Sequence, residues 1–410
     1  MPEALRPASM KAMLRQRAFR TLWIAQFVSI FGDFLAIFAV IARITFRLHG
    51  TAVDVTSVVI AYILPPALIG PFSGVLVDRW NFKRVMIASD LVRALLAASL
   101  VFVTDVRQIA LILASLSVVS SFFAPAQAVA LRTLVAPQDL LAANALLAQA
   151  FYMVRILSPA LAGALVSWLT EKACFWLDVG SFFFSAAMLA RLVISRPPAP
   201  KREGSVRALV ADLAEGNRFI FTHRGLAFAF IAMGAAMFVL SSFSPLISIY
   251  IRDTLHSGTM IYGVVSSMIG VGLIAGTQLA SKAARDRPTD AVIVFGLFML
   301  GMGTALLGAI RYTAAAAAST FIIGLAIAFV YVPGQTLQQR ETPPPMVGRV
   351  SSTFMSLLSL SQVLGLLLSG MLAQRLGIRQ LFLAAAGALI ALTLLGWTML
   401  RPRAQTDAAA

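Results

Sequence analysis

A few ionisable side chains stand where an otherwise apolar chain would carry none. Asp33 lies near the middle of QFVSIFGDFLAIF, with no polar stretch within reach on either side. An acid at the centre of a bilayer costs about 2.5 to 3.5 kcal/mol on insertion scales, so it has to face the protein interior. A carboxyl taken out of water holds its proton more readily, which suits a group that loads and releases protons. The competing reading is a buried Asp that only hydrogen-bonds a neighbouring helix. Asp90 and Arg93, three residues apart, share one helical face and read as an internal ion pair. Arg155, in RILSPALAGAL, is a buried cation able to neutralise Asp33 or to meet an anionic substrate. Asp178 falls nearer the end of its apolar run and reads as an interfacial or structural charge.

The elements that must position these groups follow from composition. The chain has 410 residues, 59% hydrophobic and only 12% charged. Soluble domains carry roughly a quarter charged residues, so this is a polytopic membrane protein. Apolar runs fall at about 21–42, 57–77, 85–104, 108–131, 141–169 and 173–194, then at 225–251, 260–281, 291–310, 313–338, 350–374 and 380–400. Each is near the twenty residues that a helix needs to cross about 30 Å of hydrocarbon. The expected fold is therefore all-α, with twelve spanning helices in two pseudo-symmetric bundles of six. Residues 1–194 form the first bundle and 223–410 the second. The stretch 195–222 between them is Pro-rich and charged, a central linker. Within it Val206, Leu209, Val210 and Leu213 follow a helical spacing after a Ser205 cap. They predict a short amphipathic helix, lying on the membrane surface or packed on the ends of a bundle.

The halves repeat one another. FFAPAQAVALRTLVAPQDLLAANALL from Phe122 aligns without gaps with VYVPGQTLQQRETPPPMVGRVSSTFM from Val330. Pro125, Gln127, Arg132 and Pro137 then match Pro333, Gln335, Arg340 and Pro345. Many transporters are built from such repeats, with substrate held between the halves.

Charge gives the topology. The net charge of +16 is spread through short loops instead of forming a nucleic-acid patch. Alternating faces places 23 Lys and Arg on one side and 8 on the other, with Arg93 and Arg155 inside spans. By the positive-inside rule both termini are cytoplasmic, and an even number of spans follows. The single Cys174 leaves no internal disulfide and no multi-cysteine metal site. His49, His223 and His256 sit at or beyond the ends of apolar runs and read as loop residues. No GxxxxGK, HExxH or GxSxG is present, so neither enzymatic chemistry nor a cofactor or metal is implied, and ATP and DNA are not expected partners.

The turn between the second and third runs, GVLVDRWNFKR from Gly74 to Arg84, is too charged for hydrocarbon and must lie on one membrane face. It resembles the helix 2–3 loop of major facilitator superfamily transporters, roughly G-x-L-x-D-R-x-G-R-[RK]. Gly74, Leu76, Asp78, Arg79, Lys83 and Arg84 match, and Asn81 replaces the second Gly. The resemblance implies that Asp78 closes a cytoplasmic gate while Arg79, Lys83 and Arg84 line the membrane face. Asp90 and Arg93 would then extend that gate network. Ser158, Pro159, Ala162 and Gly163 loosely resemble the GPxxGG element of exporters in that family, with Ser158 and Ala162 in place of two glycines.

QFVSIFGD, VLVDRWNFKR, SFFAPAQ and LLAANAL are similar to the drug, macrolide and siderophore exporters of this superfamily, and also to bacterial lysophospholipid transporters. In the second half, by contrast, the interiors of the six runs hold no Asp, Glu, Lys, Arg or His. Ser241, Ser242, Gln278, Gln335, Gln362 and aromatic or Met side chains are what it offers a substrate. The expected function is export of amphipathic small molecules across a bacterial inner membrane, driven by proton exchange at Asp33, in a monomer that meets its substrate, protons and membrane lipid. The alternative is a lipid-moving transporter of the same fold.

Overall fold

The computed structural model describes residues 10–77, 80–192, 206–343 and 346–400. These hold twelve long helices. The first six are α1 Arg17–Ala42, α2 Ala52–Val77, α3 Phe82–Ser99, α4 Val106–Leu134, α5 Leu140–Trp168 and α6 Glu171–Ala190. The second six are α7 Arg224–Asp253, α8 Thr259–Asp286, α9 Thr289–Ala309, α10 Thr313–Glu341, α11 Val347–Leu376 and α12 Ile378–Leu400. A short N-terminal helix, Met10–Arg15, precedes α1, and a linker helix, Val206–Thr222, precedes α7.

Among the described residues eleven helical segments are long and apolar enough to cross a membrane. The exception among the twelve long helices is α3. Lys83, Arg84, Asp90 and Arg93 within its 18 residues dilute its hydropathy, and two of them, Asp90 and Arg93, are buried against its own bundle. Leu91, Val92 and Leu95 remain exposed on α3, as suits a helix whose other face meets hydrocarbon.

By contacts the chain divides into two compact units, and the division does not follow the sequence midpoint. One unit takes Met1–Glu203 together with Ile247–Ser267, and the other takes Gly204–Leu246 and Met268–Ala410. The end of α7 and the first turns of α8 thus belong with α1–α6. In the first unit α1 packs on α5 and α6, α2 on α4, and α3 on α4 and α6. In the second, α9 packs on α10 and α12, and α11 on α12 and on the linker helix.

The internal repeat extends to backbone detail. After α1 the chain continues through a widened π turn, Arg43–Arg47, and ends on His49 at φ 52°. After α7 it ends on His256 at φ 48°. Both turns carry a Leu-His pair, Leu48-His49 and Leu255-His256. The amides of Leu48 and Gly50 donate to Arg43 and Ile44 carbonyls, as those of Leu255 and Ser257 donate to Tyr250 and Ile251. The two histidines therefore serve as left-handed turn residues, a region where His is several-fold enriched among non-glycines.

The linker helix is amphipathic and packs on the end of α11. Glu215 pairs with Arg349 at 2.6 Å, and a Cβ added to Gly216 would sit 2.7 Å from the Arg349 carbonyl. Of the two readings of this segment, the structure has the helix that packs on a bundle. Ser205, the expected cap, lies outside the described residues, as do Asp78, Arg79 and Pro345.

Candidate functional site

Gly32 is where the site begins. A Cβ there would overlap Ser181 and approach Asp178 Oδ1 to 2.6 Å, so only glycine lets α1 lie this close to α6. The next residue, Asp33, is thereby brought beside Asp178. Asp178, Ser181, Phe182 and Ser185 are all buried and repeat at helical spacing along one face of α6. Ser181 donates to the Asp178 carbonyl at 2.7 Å and reaches its carboxylate at 3.3 Å.

α3 contributes the cation. The Arg93 guanidinium donates to Asp90 Oδ1 and lies 3.7 Å from Asp33 Oδ2. Its carbon sits 4.5 Å from the ring centroids of both Phe123 on α4 and Phe182 on α6. Two aromatic faces hold the planar cation in place and leave its edges to the carboxylates, an arrangement that Arg supports and Lys does not. Asp178 lies within electrostatic reach of Asp33, Arg93 and Asp90, and Tyr62 on α2 within reach of Asp33 and Asp178.

Two carboxylates thus share one guanidinium, with the third, Asp178, close by. Asp90 is fully buried and Asp178 is 1% exposed, whereas the Asp33 side chain is 23% exposed. Asp33 is the most exposed of the three carboxylates. Among the described residues, Asp90 Oδ2 and Arg93 Nε are buried with no hydrogen-bond partner, which leaves unfilled bonding capacity next to Asp33.

The expectations for individual residues fare differently. Asp90 and Arg93 form the expected pair, and Arg93 reaches on to Asp33. The cation facing Asp33 is therefore Arg93 and not Arg155, which is exposed on α5 with no hydrogen bond or ion pair among the described residues. Asp178 is buried beside this cluster, so of its two readings, interfacial or structural, the interfacial one does not hold. Its stripe of polar residues within an apolar helix was the signal in the sequence.

In the turn before α3, Gly74 lies within α2. Lys83 donates to the Ala190 and Leu192 carbonyls at 2.8 and 2.7 Å, fastening the turn to the end of α6. Arg84 is exposed, and its side chain has no partner among the described residues. On α5, Ser158 is fully buried with an unpartnered hydroxyl, and Pro159 lies inside the helix. A Cβ on Gly163 would fall 2.9 Å from the Gly263 Cα, so backbone meets backbone between α5 and α8.

A second polar cluster lies where α1 ends. Arg43, 3% exposed, donates to the Leu100 carbonyl at 2.7 Å and faces Glu171 at 3.6 Å, and Arg47 pairs with the same Glu171. Segment 247–267 is tied in here. Thr45 meets Ser248 at 2.9 Å, Arg252 donates to the Thr45 and Gly50 carbonyls, and Tyr262 stacks on Phe38 at 4.2 Å.

In the second unit the polar groups are few. Ser242 is consumed by a 3.0 Å bond to the Gly365 carbonyl. Gln335 donates to the Tyr331 hydroxyl at 3.0 Å, and Gln362 reaches the Met237 sulfur.

The family model of the Major Facilitator Superfamily matches residues 22–365 and, in an overlapping match, 286–409. The chain is 28% identical over 391 residues to the uncharacterised MFS-type transporter YfiS of Bacillus subtilis, covering 93% of this chain and 92% of that protein. To macrolide efflux protein A of Streptococcus pyogenes it is 26% identical over 389 residues, 92% and 94% of the two chains. A crystal structure of a bacterial homolog to the human lysosomal transporter Spinster superposes with a TM-score of 0.74 at 12% identity, over 94% of this chain and 97% of that one, a likeness of fold.

Proposed function

Because the chain belongs to the Major Facilitator Superfamily, we propose that it is a secondary active exporter of amphipathic small molecules, driven by proton antiport through the Asp33 cluster. The observation that carries this reading is the sharing of the Arg93 guanidinium between buried Asp90 and accessible Asp33. Ionised Asp33 holds Arg93 in common with Asp90. Protonated, it leaves the guanidinium to Asp90 alone and loosens α1 from α3. A proton taken up or released at Asp33 is thereby converted into helix movement. One proton moving down a gradient of one pH unit supplies about 1.36 kcal/mol, enough to concentrate substrate about tenfold.

Two further observations support export of amphipathic molecules. The similar protein from Streptococcus pyogenes is named for macrolide efflux. The helix interiors of the second half carry no Asp, Glu, Lys, Arg or His, so the surface they offer is largely aliphatic, aromatic and thioether, relieved by amides such as Gln335 and Gln362. In this reading the chain works as a monomer in a bacterial inner membrane with both termini cytoplasmic, as the 23 to 8 division of cations implies. Asp78 closes the cytoplasmic gate, Arg79 lines the membrane face beside it, and Lys83 anchors the turn to α6.

Reconstituted vesicles with an imposed pH gradient test the proposal, with a cationic dye, a macrolide and a lysophospholipid offered separately. Gradient-driven accumulation of the dye or the macrolide is the expected result. Movement of the lysophospholipid alone would replace it with lipid transport, and indifference of all three to the gradient would remove proton antiport.

A further inference from the structure

The first turn of α3 carries two cations with different fates. Lys83 is engaged by two carbonyls at the end of α6. Arg84, one residue on, is exposed and has no hydrogen-bond or ionic partner for its side chain among the described residues. It stands at the mouth of a groove of about 580 Å³ that runs between α3 and α4. The walls are Val85, Val92, Val119 and Phe122, and the mouth is Trp80, Asn81 and Arg84. Among the described residues that line it none is acidic. Trp80 is 53% exposed and stacks on Phe122 with ring centroids 6.1 Å apart, and indoles are enriched at membrane–water interfaces. Asn81 accepts from the Arg84 amide and so fixes the start of α3 beneath the mouth.

We propose that this groove binds one anionic phospholipid, with the phosphate on Arg84, the glycerol region against Trp80 and an acyl chain along the α3–α4 walls. Charge complementarity selects the occupant. An uncompensated guanidinium tops an apolar channel, and this turn lies on the face to which the sequence assigns the excess of cations. There the lipid surface is negative, and each cation near it gains about 1 kcal/mol. A soluble anion would leave the walls bare, and a neutral amphiphile would leave Arg84 unpaired. The site is on the outer side of α3 and is independent of the Asp33 cluster and of what the protein transports.

The test uses the full chain in vesicles of phosphatidylcholine into which brominated phosphatidylglycerol or brominated phosphatidylcholine is titrated. The Trp80 contribution is obtained as wild type minus Trp80→Phe. Brominated phosphatidylglycerol should quench it at about fivefold lower mole fraction than brominated phosphatidylcholine. Arg84→Gln should abolish that preference and Arg84→Lys should retain part of it, and added inorganic phosphate should fail to compete. Equal quenching by the two lipids, a preference unchanged in Arg84→Gln, or competition by free phosphate would each overturn the proposal.

Discussion

Replacing Arg93 by Met keeps the volume of the side chain and removes its charge. The guanidinium is 5% exposed, pairs with Asp90, lies 3.7 Å from Asp33 and sits between two rings at 4.5 Å. Breaking a buried ion pair from one side typically costs about 3 to 5 kcal/mol, because the partner is left uncompensated. Loss of the two ring contacts, each worth about 0.5 to 2 kcal/mol, acts in the same direction. Arg93→Met is therefore expected to destabilise the protein by about 3 to 5 kcal/mol. Arg93→Lys keeps the charge and loses the planar fit, for about 1 to 2 kcal/mol. Adding Asp33→Asn to Arg93→Met should return about 1 kcal/mol or more, since residues sharing one network are coupled by that order. SDS-driven unfolding of the full chain in mixed micelles, followed by circular dichroism, gives all three values. Arg93→Met within about 0.5 kcal/mol of wild type, the range of an ordinary surface change, would refute the shared-cation reasoning. Strict additivity of the two substitutions would confine Asp33 to a separate role.

The close approach of α5 and α8 is tested by Gly163→Val, whose Cβ meets the Gly263 backbone at 2.9 Å. Backbone cannot yield as a side chain does, so thermal stability should fall by about 1 to 3 kcal/mol, and a wild-type melting curve would contradict the contact. On the linker helix, Gly216→Leu should release its docking on α11 and expose it to limited proteolysis. Glu215→Gln should change stability by less than about 1 kcal/mol, because the pair with Arg349 is exposed. Topology is checked by cysteine labelling in a Cys174→Ala background: an impermeant reagent added outside should modify Lys172→Cys and leave Ser205→Cys untouched until the cells are permeabilised. Labelling of position 205 from outside would invert the orientation.

Much of the fold is written locally. Each run of twenty apolar residues became a helix because hydrocarbon leaves the backbone no other way to satisfy itself. α3 became one despite its charges, because Asp90 and Arg93 pair with each other inside the bundle. The linker helix was visible from its spacing, but its berth on α11 was not, since Gly216 reveals a close approach without naming the partner. Asp33 stood out because nothing local explains an acid at that depth. Its counter-ion did not, because Arg93 and Arg155 are equally interior along the chain and only the packing of α1 and α3 on α6 separates them. Asp178 lay hidden behind a count from the helix end, although Ser181 and Ser185 on the same face marked a polar stripe. The grouping of 247–267 with the first unit has no local signal, for it rests on tertiary contacts such as Tyr262 on Phe38.

The most direct test is transport against a gradient by Asp33→Asn, in vesicles loaded at one pH and diluted into another. Asn keeps the size and the hydrogen bonding of Asp33 but has no proton to exchange. The variant is expected to bind substrate and to fail to concentrate it, while Asp33→Glu, with the same chemistry on a longer arm, keeps part of the wild-type accumulation. Accumulation by Asp33→Asn that still follows the imposed pH gradient would contradict the account and move coupling to Asp90, Asp178 or another ion.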